Sequence, residues 1–151
     1  MAVETTLVLV KPDGVQRGLS GEIISRLERT GLKIAGMKFM QVTRELAEKH
    51  YAEHKGKGFY EGLVSYITSA PVVALALEGP EAIAVVRKLM GSTRPAEAAP
   101  GTIRGDLALE VGRNLIHGSA NADAAKREVA LFFSGKELLN WERAVEKWVR
   151  E

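Results

Sequence analysis

Apolar stretches mark three segments of the chain as strands. "TTLVLV" (residues 5–10) and "PVVALALE" (71–78) lack polar alternation, which is typical of strands buried on both faces of a sheet. "KIAGMKFMQV" (33–42) also has the composition of a strand. The turn-forming residues "KPDG" follow the first stretch, so Lys11 is expected in the first loop.

Between these stretches the apolar residues recur at helical spacing. Ser20 as a possible cap and Gly31 as a stop bound the first such segment, while Pro80 in the first turn and Gly91 beyond the end bound the last. Thr43 precedes a tandem pair of short helices. The predicted helices span residues 20–30, 44–54, 59–67 and 80–90.

The remaining third of the chain begins with a long Gly/Pro-rich connection over residues 91–113, and connections of this length inside a domain are usually functional. A fourth strand near 114–117 and a helix over about 122–133 follow. The tail repeats helical spacing at Trp141, Val145 and Trp148.

The order of these elements predicts the fold class. It is that of an α+β sandwich of the ferredoxin-like βαββαβ type, with helices covering one face of a four-stranded, mostly antiparallel sheet and a C-terminal tail beyond it. A chain of 151 residues with 46% apolar composition is the size of one domain, so residues 1–151 are expected to form a single unit.

Composition removes several functional classes. The chain contains no cysteine, which rules out thiol chemistry and disulfides. Its 21 basic and 19 acidic residues are interspersed, which argues against a nucleic-acid scaffold based on bulk positive charge. The N-terminal stretch has no basic leader and no apolar run of membrane-spanning length, so we expect a cytoplasmic protein without a membrane partner.

Candidate chemistry concentrates in "GRNLIHGSANADAAKREVALFF", where His117 lies between an apolar pair and a run of small residues. A lone histidine beside apolar residues is more often structural than reactive. Lys11 taken alone could equally be a solvated turn residue. The polar residues Arg87, Thr93 and Arg104 lie in or beside the long connection, and arginine suits phosphate because its planar fork donates paired hydrogen bonds. Both the GxGxxG fingerprint and the GxxxxGK[ST] phosphate loop are absent.

Four motifs occur together in the order and spacing of one family: "KPDGVQRG", "HY" at residues 50–51, "GTIRGD" and "GRNLIHGS". Over essentially its whole length the chain resembles the nucleoside diphosphate kinases. The resemblance implies that His117 accepts the γ-phosphate of a nucleoside triphosphate as phosphohistidine and passes it to a nucleoside diphosphate, in a ping-pong reaction at one site. A neutral imidazole suits this role because it has an unprotonated ring nitrogen near physiological pH.

The resemblance also implies roles for the other site residues. His117 would attack through Nδ1 while Glu128 holds Nε2, and Lys11 and Tyr51 would lie close to the transferred phosphoryl group. Lys11 with Asn114 would contact the ribose hydroxyls. The phosphates would meet Arg87, Thr93 and Arg104, and the base would stack on Phe59 beside Leu63 and Val111.

The same resemblance implies a cofactor and partners. Mg²⁺ would be bound through the nucleotide phosphates, with no protein residue as an obligatory metal ligand. The partners would be nucleoside di- and triphosphates, with no obligatory nucleic acid. The family and the length of the C-terminal tail imply a homo-oligomer, a hexamer with a tetramer as the alternative. The indoles of the tail would then pack on a neighbouring element.

Two residues depart from the family pattern. Ala120 follows Ser119 where relatives have aspartate, and Gly58 precedes Phe59 where many relatives have proline. A non-catalytic nucleotide-binding regulatory module therefore stays open as the alternative, and a single-strand nucleic-acid binder that stacks bases on Phe59 is a third reading. In the absence of the aspartate, we predict that Asn121 or Ser119 caps the following helix, with Asp123 supplying a favourable charge in its first turn.

Overall fold

The computed structural model describes residues 2–151 and contains one four-stranded sheet. The spatial order of the strands is β2-β3-β1-β4, and every neighbouring pair is antiparallel. The predicted α+β class and antiparallel sheet are thereby confirmed. The strands are β1 (Val3–Val10), β2 (Lys33–Met40), β3 (Val72–Pro80) and β4 (Ile116–Gly118).

Seven α-helices connect and cover these strands in the described part of the chain. Short 3₁₀ turns occur at Ala52–His54, Pro95–Glu97, Gly135–Glu137 and Glu146–Trp148. The helices are α1 (Pro12–Gln16), α2 (Ser20–Glu28), α3 (Arg44–His50), α4 (Tyr60–Ile67), α5 (Ala82–Met90), α6 (Ile103–Leu107) and α7 (Ala122–Phe132). No helix within residues 2–151 is both long and apolar enough to cross a membrane.

Helices cover both faces of the sheet, so the expectation that they cover one face is wrong. Leu7 and Leu9 of β1 belong to a core shared with α3, α4 and α7. Val8 and Val10, which point the opposite way, belong to a second core shared with α2, α5 and α6. The physical reason lies in the apolar runs within β1 and β3, because successive side chains of a strand point to opposite faces and an unbroken apolar run must therefore be buried on both sides.

Three predictions made for the starts of helices are also wrong. "KPDG" does not form a simple turn but opens α1, where the fixed φ of Pro12 suits a first helical position. Ser20 is the first residue of α2 and makes no capping bond, because the cap position falls on Leu19. Pro80 ends β3, and α5 starts after Glu81, whose φ is 52°. Gly91 does follow the end of α5, with a φ of 84°.

The C-terminal tail beyond α7 is helical only in two short 3₁₀ turns, Gly135–Glu137 and Glu146–Trp148, contrary to its apolar spacing. The backbone N–H of Leu139 donates to the carbonyl of Ala35 at 2.8 Å, and the indole Nε1 of Trp141 donates to the carbonyl of Ile34 at 2.9 Å. These bonds attach the tail to the outer edge of β2, and they compete with the local bonds that a helix would need.

Candidate functional site

His117 is the middle residue of β4 and pairs with Leu9 of the central strand β1. Its imidazole is one quarter exposed, and Nε2 lies 2.8 Å from Oε1 of Glu128. An ionised carboxylate can only accept a hydrogen bond, so the ring hydrogen lies on Nε2. The lone pair of the neutral ring is then on Nδ1, the nitrogen expected to attack.

Glu128 projects from α7 and is buried, with 5% of the residue exposed. Burial acts to raise its pKa, but the hydrogen bonds and charge of His117 and the hydrogen bond from Ser119 lower it to about 2. The carboxylate is therefore ionised throughout the physiological range and can hold the imidazole in one tautomer.

Ser119 is a site residue for which the sequence predicted another role. Its hydroxyl donates to Oε1 of Glu128 at 2.7 Å and accepts the backbone N–H of Leu7 at 3.2 Å. Ser119 thus ties the carboxylate to the central strand and does not cap α7. The sequence carries no signal for this role, because the partners of a buried polar side chain come from distant segments of the chain.

Asn121 caps α7, which confirms one of the two alternatives for this helix start. Its Oδ1 accepts the backbone N–H of Ala124 at 2.8 Å, and Asp123 lies in the first turn of the helix. A capped start fixes where α7 begins on the sheet, and this sets the position of Glu128 further along the same helix.

A cluster of polar side chains lies beside β4. The Lys11 Nζ donates to Oδ1 of Asn114 at 2.6 Å, and the Asn114 Nδ2 donates to the carbonyl of Thr93 at 2.9 Å. Burial and the charge of Arg104 lower the pKa of Lys11 to about 8. The structure therefore brings together Lys11 directly before α1, Thr93 near the start of the long connection and Asn114 directly after its end.

The two predicted arginines are anchored to the same strand. Arg104 is buried and donates to the carbonyls of Asn114, Gly91 and Ile116 at 3.2, 3.1 and 2.7 Å. Burial and the nearby charge of Arg87 lower the pKa of Arg104 to about 10. Arg87 is exposed on α5 and donates to the carbonyl next to His117, that of Gly118, at 3.2 Å. The result is a concentration of positive charge around the histidine, which suits an anionic ligand.

On the other side of His117 the aromatic rings follow one another outward to the surface. His50 packs edge to face on His117 with 4.8 Å between ring centroids, and Tyr51 packs on His50 at 4.7 Å. Burial and the charge of Glu128 raise the pKa of Tyr51 to about 12, so its phenol stays protonated. His54 lies 6.3 Å from the Tyr51 ring and 5.3 Å from the Phe59 ring.

Of the residues predicted to hold a base, Phe59 lies at the outer end of this series. Phe59 is 53% exposed, and the N–H of Leu63, one turn further on in α4, donates to its carbonyl. Val111 is 50% exposed in the segment before Asn114. These side chains form apolar surface outside either core, which is available to a planar ligand.

Among the described residues, one group has the ligand types and spacing for a metal ion. Single ligand atoms of His50, His117 and Glu128 lie within 4.8 Å of one another. Two of these residues are already hydrogen-bonded together. Beside β4 the side chains of Lys11, Asn114 and Arg104 are amide or cationic, and cationic groups are not ligands for Mg²⁺. The Asp13 carboxylate nearby accepts the N–H of Leu115 and the hydroxyl of Tyr66.

Comparisons with known proteins agree with this geometry. The family model for "Nucleoside diphosphate kinase" matches residues 4–138. A nucleoside diphosphate kinase of Archaeoglobus fulgidus is 61% identical over 99% of each chain, and one of Carboxydothermus hydrogenoformans is 58% identical over 99% of this chain and all of the relative.

Solved structures extend the comparison to the fold. A nucleoside diphosphate kinase of Halobacterium salinarum, solved in complex with CDP, matches with a TM-score of 0.96 at 56% identity, covering 99% of this chain and 100% of the other. One of Borrelia burgdorferi, a transition-state mimic with bound vanadate and ADP, matches with a TM-score of 0.89 at 42% identity, covering 95% of each chain. With a buried carboxylate on its histidine and cationic groups around it, the chain belongs to the nucleoside diphosphate kinase family.

Proposed function

We propose that the chain moves the γ-phosphate of a nucleoside triphosphate to a nucleoside diphosphate through a phosphohistidine at His117. The observation that carries this is the 2.8 Å contact between Nε2 and Glu128, which leaves Nδ1 as the nucleophile. In the first half-reaction Nδ1 forms a bond to the γ-phosphorus and the bond to the bridging oxygen breaks, releasing the diphosphate. In the second half-reaction a nucleoside diphosphate takes the phosphoryl group back by the reverse displacement. No proton has to leave the histidine before it attacks.

Charge stabilisation is the main task of the surrounding residues, since phosphoryl transfer depends chiefly on positioning and electrostatics. Arg87, Thr93 and Arg104 would contact the nucleotide phosphates, and Lys11 and Tyr51 would donate to the transferred group. The lowered pKa of Lys11 and the raised pKa of Tyr51 leave both groups able to donate near neutral pH. Formation of phosphohistidine places a positive charge on the ring, which the ionised Glu128 stabilises.

The rest of the nucleotide would extend from β4 toward the surface aromatic ring. Lys11 and Asn114, already in contact with each other, would meet the ribose hydroxyls. The base would stack on the ring of Phe59, and Leu63 and Val111 would make apolar contacts with it. Stacking and apolar contact do not read the hydrogen-bonding edge of a base, so the site should accept many nucleotides.

Mg²⁺ fits this arrangement only as an ion held through the nucleotide. The Lys11, Asn114 and Arg104 groups beside β4 are cationic or amide and bind phosphate oxygens. The nearby carboxylates of Glu128 and Asp13 are already engaged by hydrogen bonds from His117 and Leu115. When bound, the ion would neutralise charge on the phosphates. The protein's own contribution is to orient those phosphates through Arg87, Arg104 and Thr93.

Assembly and location are further proposals. Exposed apolar side chains, among them Phe39 at 67% and Trp148 at 80%, support a homo-oligomer, for which we propose a hexamer with a tetramer as the alternative. We also propose a single domain over residues 1–151 and a cytoplasmic location. The regulatory-module alternative is not favoured, because the bonds among His117, Ser119 and Glu128 would serve no purpose in a site that only binds.

A labelling experiment tests the reaction. Purified protein is mixed with γ-labelled ATP, and the label is tested for acid lability and for transfer to GDP. We expect the parent to become labelled and His117→Ala to take up no label while still binding nucleotide, because the other contacts remain. His54→Ala is the matched control and should still become labelled. Label that persists in His117→Ala would contradict the mechanism.

A further inference from the structure

Leu115 has an unusual backbone conformation next to the proposed nucleophile. Within residues 2–151, only Glu81 and Leu115 are non-glycine residues with positive φ, and the φ of Leu115 is 74°. The N–H of Ile116 donates to the carbonyl of Asn114 at 2.9 Å, which makes Leu115 the centre of a γ-turn. A branched side chain takes up this conformation only where its surroundings impose it.

The surroundings that impose it come from the start of α1 and the residue before it. The N–H of Lys11 donates to the Leu115 carbonyl at 2.9 Å, and a carboxylate oxygen of Asp13 accepts the Leu115 N–H at 3.0 Å. Both backbone groups of the turn are thus held by one short segment. Gly14 permits this approach, because a Cβ there would lie 3.2 Å from the Leu115 carbonyl oxygen and 2.8 Å from Cγ1 of Val10.

The Asp13 carboxylate is itself fixed from the other side. Its second oxygen accepts the hydroxyl of Tyr66, and the backbone N–H of Asp13 donates to that same hydroxyl oxygen at 3.2 Å. The guanidinium carbon of Arg113 lies 4.3 Å from the centroid of the Tyr66 ring. The carboxylate therefore has a defined orientation when it meets the γ-turn.

The turn determines where its neighbours point. Asn114 immediately precedes Leu115 and directs its side chain to Lys11 at 2.6 Å. His117 follows two residues later, at the centre of β4. We propose that Asp13 is a positioning residue, whose carboxylate holds the turn at Leu115 and thereby directs Asn114 and Lys11 at the ribose hydroxyls. This inference rests on the proposed function, and specifically on the ribose contact.

The test compares two phosphate donors, ATP and 2′,3′-dideoxy-ATP, in single-turnover labelling of His117. The parent should favour ATP by at least about tenfold, as expected when a donor–acceptor pair loses its hydroxyl partners. Asp13→Ala should lower this preference by about tenfold, because the Asn114–Lys11 pair loses its fixed direction. Asp13→Asn retains an acceptor for the Leu115 N–H and should keep a preference near the parent's.

Two further variants separate positioning from general damage. Glu142→Gln removes one exposed negative charge in the tail and should leave the preference unchanged. If Asp13→Ala does not fold, the ratio of the labelling rates with ATP and with 2′,3′-dideoxy-ATP is measured in Tyr66→Phe. This variant frees the Asp13 carboxylate to rotate and should lower the preference for ATP. A folded Asp13→Ala that slows both donors equally, or a Tyr66→Phe with the parent's ratio, would overturn the proposal.

The parent protein distinguishes this inference from the proposed function. A parent that labels His117 with both donors equally would refute the ribose contact and with it the role of Asp13, but phosphotransfer would stand. A parent that labels with neither donor would refute the proposed function itself.

Discussion

The contact between His117 and Glu128 can be divided into orientation and charge by two substitutions of one residue. Glu128→Gln keeps a carbonyl oxygen in place of Oε1 and removes the charge. The Ser119 hydroxyl, which accepts the Leu7 N–H and donates to Oε1, favours this oxygen over the amide nitrogen at the same position. Glu128→Ala removes both acceptor and charge, and leaves the ring N–H and the Ser119 hydroxyl without their partner.

The expected magnitudes follow from the kinds of hydrogen bond lost. A bond to a charged group contributes about 1.5–3 kcal/mol and a neutral one about 0.5–1.5 kcal/mol, so losing only the charge should slow labelling of His117 by about tenfold. Losing the acceptor also releases the ring from its tautomer and orientation. For Glu128→Ala we therefore expect a loss on the order of a hundredfold to a thousandfold.

Rapid-quench labelling with γ-labelled ATP at saturating concentration measures this step directly, with the quench kept alkaline because phosphohistidine is acid-labile. Nucleotide binding, measured separately, should change little in either variant, since Glu128 lies behind the ring and away from the proposed phosphate contacts. Equal rates for Glu128→Gln and Glu128→Ala would show that charge alone matters. A Glu128→Gln rate equal to the parent's would refute the stabilising role of the carboxylate.

Three other predictions concern stability and assembly. Asn121→Ala should destabilise the protein by about 1 kcal/mol, lower its Tm by about 2–4 °C and slow labelling of His117, because the cap of α7 is lost; an unchanged Tm in calorimetry would contradict this. The pKa of Glu128 falls from 4.5 in the unfolded chain to about 2 in the folded protein. Its contribution of about 3 kcal/mol to the free energy of unfolding is therefore complete above pH 4.5 and disappears as the pH falls toward 2. Urea unfolding of the parent and Glu128→Gln should therefore converge over this interval, and curves that stay parallel would refute the contribution. Light scattering should give the mass of a hexamer, or of a tetramer, and a stable monomer would exclude both.

The apolar pattern determined which elements exist, because burial requires it locally. Residues 5–10 lack polar alternation, so a strand buried on both faces was expected there, and the last five residues of β1 are indeed buried. The first six residues of β3 (Val72–Pro80) are likewise all apolar and all buried. The resemblance supplied the candidate site, since residues scattered from Lys11 to Glu128 share no local pattern. The expectation of helices on one face was wrong, because element order does not determine which face each helix covers, whereas strands that are apolar on both sides need cover on both.

Only the tertiary structure decided the features that depend on contacts between distant segments. The tail has helical spacing, yet its bonds to Ile34 and Ala35 hold it against β2. Ser119 gave no sign in the sequence that it joins Glu128 to β1, and Asp13 read as a turn residue until the structure placed it against Leu115. The local spacing of apolar residues predicts which side chains are buried. The partners of a buried polar group, in contrast, are determined by the packing of elements that are far apart in the chain.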